Sequence, residues 1–167
     1  MHKSQLSNFH VLIIDDEKPI LRLIYDVLAS LGFRHIVAAN SGRRAVELLA
    51  KQKFDFIITD WRMGDKDGIH IVDFARNSAE SLHLTTPIIM LTANTEPHYV
   101  LTARDTGVNS YLIKPFSADQ LVRRIRTIIE QPLPFVLSPK YRGPDRRHKT
   151  LPPPNNIDRR KPRNSSS

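Results

Sequence analysis

The chain of 167 residues contains no cysteine. Disulfides, thiolate metal sites and cysteine nucleophiles are therefore excluded, and the composition fits a reducing cytosol. Long apolar runs are missing as well. The first one, Val11 to Ile14, stops at Asp15-Asp16, and no stretch approaches the roughly 20 apolar residues of a membrane helix. Nothing resembles a secretory signal. The seven histidines show no metal-ligand spacing and read as surface or packing residues. A cytoplasmic protein without a membrane span is expected.

Charge is abundant but unevenly placed. The net charge of +8 suggests a nucleic-acid binder at first sight. Residues 132–167, however, carry nine of the 25 Lys and Arg but two of the 17 acids, a net of +7, which leaves +1 for residues 1–131. The basic character belongs to the tail.

Residues 10–130 alternate between two kinds of segment. Val11–Ile14, Ile36–Ala39, Phe56–Thr59, Pro87–Leu91 and Ser110–Ile113 are short apolar runs rich in β-branched residues, and they read as buried strands. Helical periods lie between them. Ile20, Ile24, Val27 and Leu31 share a face in the first, with Gly32 as its stop. Asn40-Ser41 opens the second, which carries Ala45, Leu48 and Leu49. Ile69, Val72, Phe74 and Ala75 mark the third, and a fourth is expected from about Thr95 to Thr106-Gly107. Ser117-Ala-Asp-Gln120 is a capping box that opens the last, continued by Leu121, Ile125, Ile128 and Ile129. Strands each followed by a helix imply an α/β fold: a flavodoxin-like, doubly wound (βα)5 domain with a five-stranded parallel sheet, over residues 9–131.

Composition changes after Glu130. Residues 132–167 hold eight of the twelve prolines, few large apolar residues and a serine-rich end. This Pro/Arg-rich tail is expected to be disordered or extended. It repeats one unit, Asp145-Arg146-Arg147 and Asp158-Arg159-Arg160, around Leu151-Pro-Pro-Pro154. About 36 such residues are too few to fold as a DNA-binding domain without a staple.

In a doubly wound sheet the site lies at the carboxyl ends of the strands. There the sequence places Asp15-Asp16, Asp60, Thr92 and Lys114-Pro115. Three close carboxylates repel unless a cation joins them, and hard oxygen ligands in a partly hydrated site suit Mg²⁺. With Lys114 and the Thr92 hydroxyl, the set is built to hold a transferred phosphoryl group.

This arrangement, with Tyr111 three residues before the lysine and Asp60-Trp-Arg-Met63 followed by Asp67-Gly68, resembles the CheY-like receiver domains of two-component response regulators. The resemblance covers about residues 9–130. It implies that Asp60 is the nucleophile, taking a phosphoryl group from a histidine kinase or histidine phosphotransfer protein. Asp16, the Asp60 carboxylate and the Arg62 backbone carbonyl would hold Mg²⁺, with Asp15 acting largely through water. Lys114 would pair with the phosphoryl oxygens. Thr92 would move to meet them and Tyr111 would repack into the vacated space, altering the surface offered to a downstream protein target, as in chemotaxis. The Lys114-Pro115 bond would be cis. Such a protein is a switch rather than a turnover enzyme.

The sequence departs from the family's pattern at Gly64, usually proline, and at Lys66, usually apolar; both bear on the stiffness of the loop after Asp60. Arg62 and Asn94 occupy variable positions that tune phosphorylation and hydrolysis rates. Trp61 reads as a surface or partner residue. A dehalogenase-type phosphatase would want Asp-x-Asp after its first strand, which is absent. The stretch Tyr141-Arg-Gly-Pro-Asp-Arg-Arg147 resembles arginine-rich tails on some CheY-like proteins that bind cyclic diguanylate. Arg142, Arg146, Arg147, Arg159 and Arg160 could take its guanines and phosphates. Plain charge attraction to nucleic acid or an acidic protein face, or a merely solubilising extension, are the alternatives for the tail.

Overall fold

A computed structural model of the chain describes residues 6–64, 67–93, 102 and 105–145. Five parallel strands form one sheet: β1 His10–Ile14, β2 His35–Ala39, β3 Phe56–Asp60, β4 Ile88–Thr92 and β5 Ser110–Ile113. Their order is β2-β1-β3-β4-β5. Among the described residues, four helices cover them: α1 Lys18–Leu31, α2 Gly42–Lys51, α3 Gly68–Asn77 and α4 Ala118–Glu130. This is the flavodoxin-like doubly wound fold expected from the strand–helix alternation.

The strands read as unbroken apolar runs because both faces are covered. Leu12 and Ile14 of β1, Ile57 of β3, and Ile88 and Met90 of β4 pack with Leu49 of α2 and with Ile71, Val72 and Ala75 of α3. Their neighbours Val11, Ile13, Phe56, Ile58, Ile89 and Leu91 face the other way, onto Ile24 and Leu28 of α1 and Leu121 and Ile125 of α4. Period-two alternation thus feeds two cores. At the sheet edge, β5 departs from the expected buried strand, because Tyr111 and Ile113 are exposed.

Helix ends follow the sequence signals. Gly32 terminates α1 at φ 103°, a left-handed backbone that favours glycine. Ser117 and Gln120 form the reciprocal capping box of α4, and the Ser41 side chain accepts from Arg44 N at the start of α2. In α3 the inward face is set by Ile71, Val72 and Ala75, while Ile69 and Phe74 are half-buried. The expected fourth helix falls mostly outside the described residues; Gly107 closes that segment at φ 100°. No described helix is long and apolar enough to cross a membrane.

The largest departure lies just past α4. Residues 132–145 are part of the expected disordered tail, yet Phe135–Ser138 (β6) and Tyr141–Pro144 (β7) pair as an antiparallel hairpin. Asp145 N donates to Pro134 O at 2.6 Å to close its base, and the Tyr141 hydroxyl donates to Pro144 O at 3.0 Å. The hairpin needs no core of its own because it borrows one. Arg76 on α3, 1% exposed, donates to Gly107 O at 3.2 and 3.1 Å, His83 O at 2.8 Å and Asn109 Oδ1 at 3.2 Å. The Phe135 ring lies 5.1 Å from its guanidinium carbon, and Arg142 donates to Arg76 O at 3.3 Å. Gly107 has to be glycine on a second count, since a Cβ there would collide with the Arg142 carbonyl. Composition alone hides this, because the anchoring partner is a buried arginine in a distant helix. Arg146, Arg147, Arg159 and Arg160 lie outside the described residues.

Candidate functional site: an acidic pocket at the carboxyl edge of the sheet

Parallel strands that start in register end together, and here they bring together residues far apart in sequence. Asp15 and Asp16 follow β1, Asp60 ends β3, Thr92 ends β4 and Lys114 follows β5. Asp15 and Asp60 are 0% and 6% exposed and Thr92 is 3% exposed, whereas Asp16 faces solvent. One carboxylate oxygen from each of Asp15, Asp16 and Asp60 lies within 4.8 Å of the others. The acceptors are all hard oxygens, the donor set that suits Mg²⁺.

Lys114 organises the pocket. Its Nζ donates to Asp15 Oδ2 at 2.8 Å and forms an ion pair with Asp60 Oδ1 at 3.0 Å. A third carboxylate, Glu17 Oε1, lies 3.3 Å from the same nitrogen. Sequence reasoning passed over Glu17 because it follows the paired aspartates at the start of α1. The Lys114-Pro115 bond is cis, as expected, and Lys114 N donates to Thr92 O at 2.7 Å.

Burial pushes the Asp60 and Asp15 carboxyls up, and the bonds to Lys114 only partly offset this. Burial pulls the Lys114 ammonium down, but its bonds to Asp15 and Asp60 more than reverse that, so its pKa ends raised. Two desolvated carboxylates are thus held on one retained positive charge. An added divalent cation or a transferred anion shifts that balance strongly.

The loop after Asp60 is tied down by its backbone. Trp61 N donates to Leu91 O at 2.7 Å, and Trp61 O accepts from Gly68 N at 2.8 Å. This turns the indole inward, so Trp61 is 7% exposed and packs with Met63, Ile71 and Val72. The expected surface or partner role of Trp61 is corrected accordingly. Gly68 starts α3 against the Asp60 carbonyl, which a Cβ would strike. Gly64 N donates to Asp16 Oδ2 at 3.3 Å. The proline expected there by resemblance has no N–H and could not make that bond, so the departure gives the loop a tether of its own.

Of the other expected site residues, Arg62 lies two past Asp60 with an exposed side chain. Tyr111 sits on β5 opposite Met90, two residues from the Thr92–Ile113 pair, and is 37% exposed. Arg142 is exposed in β7. Lys66 and Asn94 lie outside the described residues.

A family model described as the response regulator receiver domain matches residues 11–126. Chemotaxis protein CheY-3 of Vibrio cholerae is 36% identical over 124 residues, covering 74% of this chain and 94% of its own length. Chemotaxis protein CheY of Pseudomonas aeruginosa is 36% identical over 121 residues, covering 72% and 96%. Among solved structures, the chemotaxis response regulator CheY4 of Vibrio cholerae is similar with a TM-score of 0.66 at 29% identity, over 72% of this chain and 98% of that one. A Francisella response-regulator receiver domain gives a TM-score of 0.66 at 30% identity, over 74% and 98%. The pocket's residues fall within the matched span, and the chain belongs to the response-regulator receiver family, whose members are phosphorylation-dependent switches.

Proposed function

We propose that Asp60 is the phosphoacceptor and that a histidine kinase or histidine phosphotransfer protein is its donor. The observation that carries this is the Lys114 ammonium held between the buried Asp15 and Asp60 carboxylates. An Asp60 oxygen attacks phosphorus, the donor's phosphorus–nitrogen bond breaks and the imidazole leaves. Lys114 meets the phosphoryl oxygens, whose charge would otherwise face Asp15. Asp15, Asp16, Asp60 and the Arg62 carbonyl would hold Mg²⁺, which when bound neutralises phosphoryl charge. Phosphorylation is read by a downstream protein through contact, in a cytoplasmic pathway of the chemotaxis kind, and the protein is not a turnover enzyme.

The metal assignment has a direct test. Millimolar Mg²⁺ should raise the melting temperature by relieving carboxylate repulsion, and Asp16→Ala should abolish the rise. An unchanged melting temperature in wild type argues against a metal at these three aspartates.

The switch is tested separately. Thr92 lies buried at the end of β4, one strand from Tyr111. Thr92→Ala should still accept phosphate on Asp60 but lose the phosphate-dependent gain in partner affinity. Equal gains in variant and wild type would route the signal elsewhere.

A second reading concerns the tail as a cyclic diguanylate site. The hairpin fixes where the first Asp-Arg-Arg unit begins, because Asp145 is bonded to Pro134. Within the same hairpin Tyr141 bonds Pro144, Arg142 bonds Arg76 of α3 and Gly143 lies against Gly107, so the ligand role would rest mainly on Arg146, Arg147, Arg159 and Arg160. Changing either Arg pair to Ala should weaken binding by roughly 1–3 kcal/mol. Calorimetry with cyclic di-adenylate should show much weaker binding; equal binding of both dinucleotides leaves only a polybasic extension.

A further inference from the structure

We infer that Glu17 is a positioning residue of the phosphoryl-transfer site, a displaceable partner that occupies the place on Lys114 later taken by a phosphoryl oxygen. The inference rests on Asp60 being the phosphoacceptor. An ammonium has three N–H donors, and Lys114 Nζ has three carboxylate oxygens around it: Asp15 at 2.8 Å, Asp60 at 3.0 Å and Glu17 at 3.3 Å. Two of these contacts are hydrogen bonds and the third is an ion pair; together they surround the ammonium, and one carboxylate must give way before Lys114 can meet an incoming anion.

The three partners are unequal. Asp15 is fully buried and its second oxygen accepts from Glu17 N at 2.9 Å. Asp60 is the attacking group. Glu17 makes the longest contact, and its side chain is 61% exposed, against 0% for Asp15 and 8% for Asp60. Water can take over its carboxylate at little cost, so it is the one that yields. Glu17 is also the N-cap of α1 yet makes no side-chain capping bond. Its carboxylate thus gives the helix only a weak charge–dipole contribution, while the first-turn bonds are made by its backbone carbonyl.

Displacement has a consequence for donor choice. The released carboxylate stays anchored at the rim of the pocket, where its charge opposes the approach of an anionic donor. The effect should be larger for a more highly charged donor. In the step itself an Asp60 oxygen forms a new bond to phosphorus, the donor's bond from phosphorus to its leaving group breaks, and acetate or ammonia carries that electron pair away, ammonia with the proton already on the donor nitrogen. Glu17 exchanges no atom.

The test uses the full chain with saturating Mg²⁺ and two small donors, acetyl phosphate, a dianion, and phosphoramidate, which carries less negative charge. Labelling of Asp60 is followed by the quench of the single tryptophan, Trp61, which adjoins Asp60. Glu17→Gln should lower the half-saturating acetyl phosphate concentration by roughly two- to fivefold at low ionic strength, the range of an exposed ion pair. The maximal rate should stay within about twofold of wild type. The shift should be smaller with phosphoramidate and should collapse at about 0.5 M salt, where exposed charges are screened. Glu17→Asp, whose shorter arm does not reach Nζ, should move with Glu17→Gln. An unchanged half-saturation, or a change in maximal rate alone, would overturn the role of Glu17 while leaving Asp60 as acceptor. Failure of wild type to label at Asp60 would instead overturn the reading on which it rests.

Discussion

Arg76→Ala should destabilise the folded protein by about 3 kcal/mol or more in a urea titration, the scale of a broken buried polar network. The side chain is fully buried and donates to two backbone carbonyls and the Asn109 side chain. Removing it takes the arginine donor from Gly107 O, leaves His83 O and Asn109 Oδ1 with only Thr86 N and Ile88 N, and opens a cavity below Phe135. Burial lowers its pKa to about 10, so the guanidinium stays charged at neutral pH and its bonds are charge-assisted. Arg76→Met, which keeps most of the stem, should recover only the packing share of the loss. The hairpin should loosen in both variants, seen as faster amide exchange over residues 135–144. A change in stability within about 0.5 kcal/mol, the range of an ordinary surface substitution, would show that the hairpin and its arginine anchor do not support the domain.

Asp60→Asn should have the opposite sign. Burial raises the Asp60 pKa in the folded protein despite Lys114, so ionising this carboxylate opposes folding. With the folded pKa above the unfolded one, the folded state binds the extra proton between the two values. Stability therefore falls as pH rises from about 4 through the folded pKa. The neutral amide removes that fall while keeping the shape. Melting temperature at pH 7 should rise, the acid-side slope should flatten, and the stabilisation by Mg²⁺ should shrink. A lower melting temperature at pH 7 would mean that the Lys114–Asp60 pair outweighs its desolvation.

Most of the fold was legible because each strand carries apolar side chains on both faces and α1, α2 and α4 each have a readable end. Gly32, Ser41 and Ser117 do in the structure what their types suggest. The pocket was legible for a related reason: strand ends in a parallel sheet converge, so Asp15, Asp16, Asp60, Thr92 and Lys114 had to meet. What escaped depends on tertiary contact. Trp61 turns inward through two backbone bonds of the loop. Glu17 matters through a lysine 97 residues away. The hairpin after α4 rests on a buried arginine and on the close approach of Gly107 and Gly143, none of which leaves a periodic trace in the sequence.

The most direct measurement of the central claim is acyl-phosphate labelling with the modified residue mapped by mass spectrometry. Full-length protein incubated with acetyl phosphate and Mg²⁺ should gain one acid-labile phosphoryl group, located on Asp60, and Asp60→Asn should gain none. Undiminished labelling of the Asp60→Asn protein, or a phosphoryl group mapped to another residue in wild type, would contradict a phosphoacceptor at the end of β3.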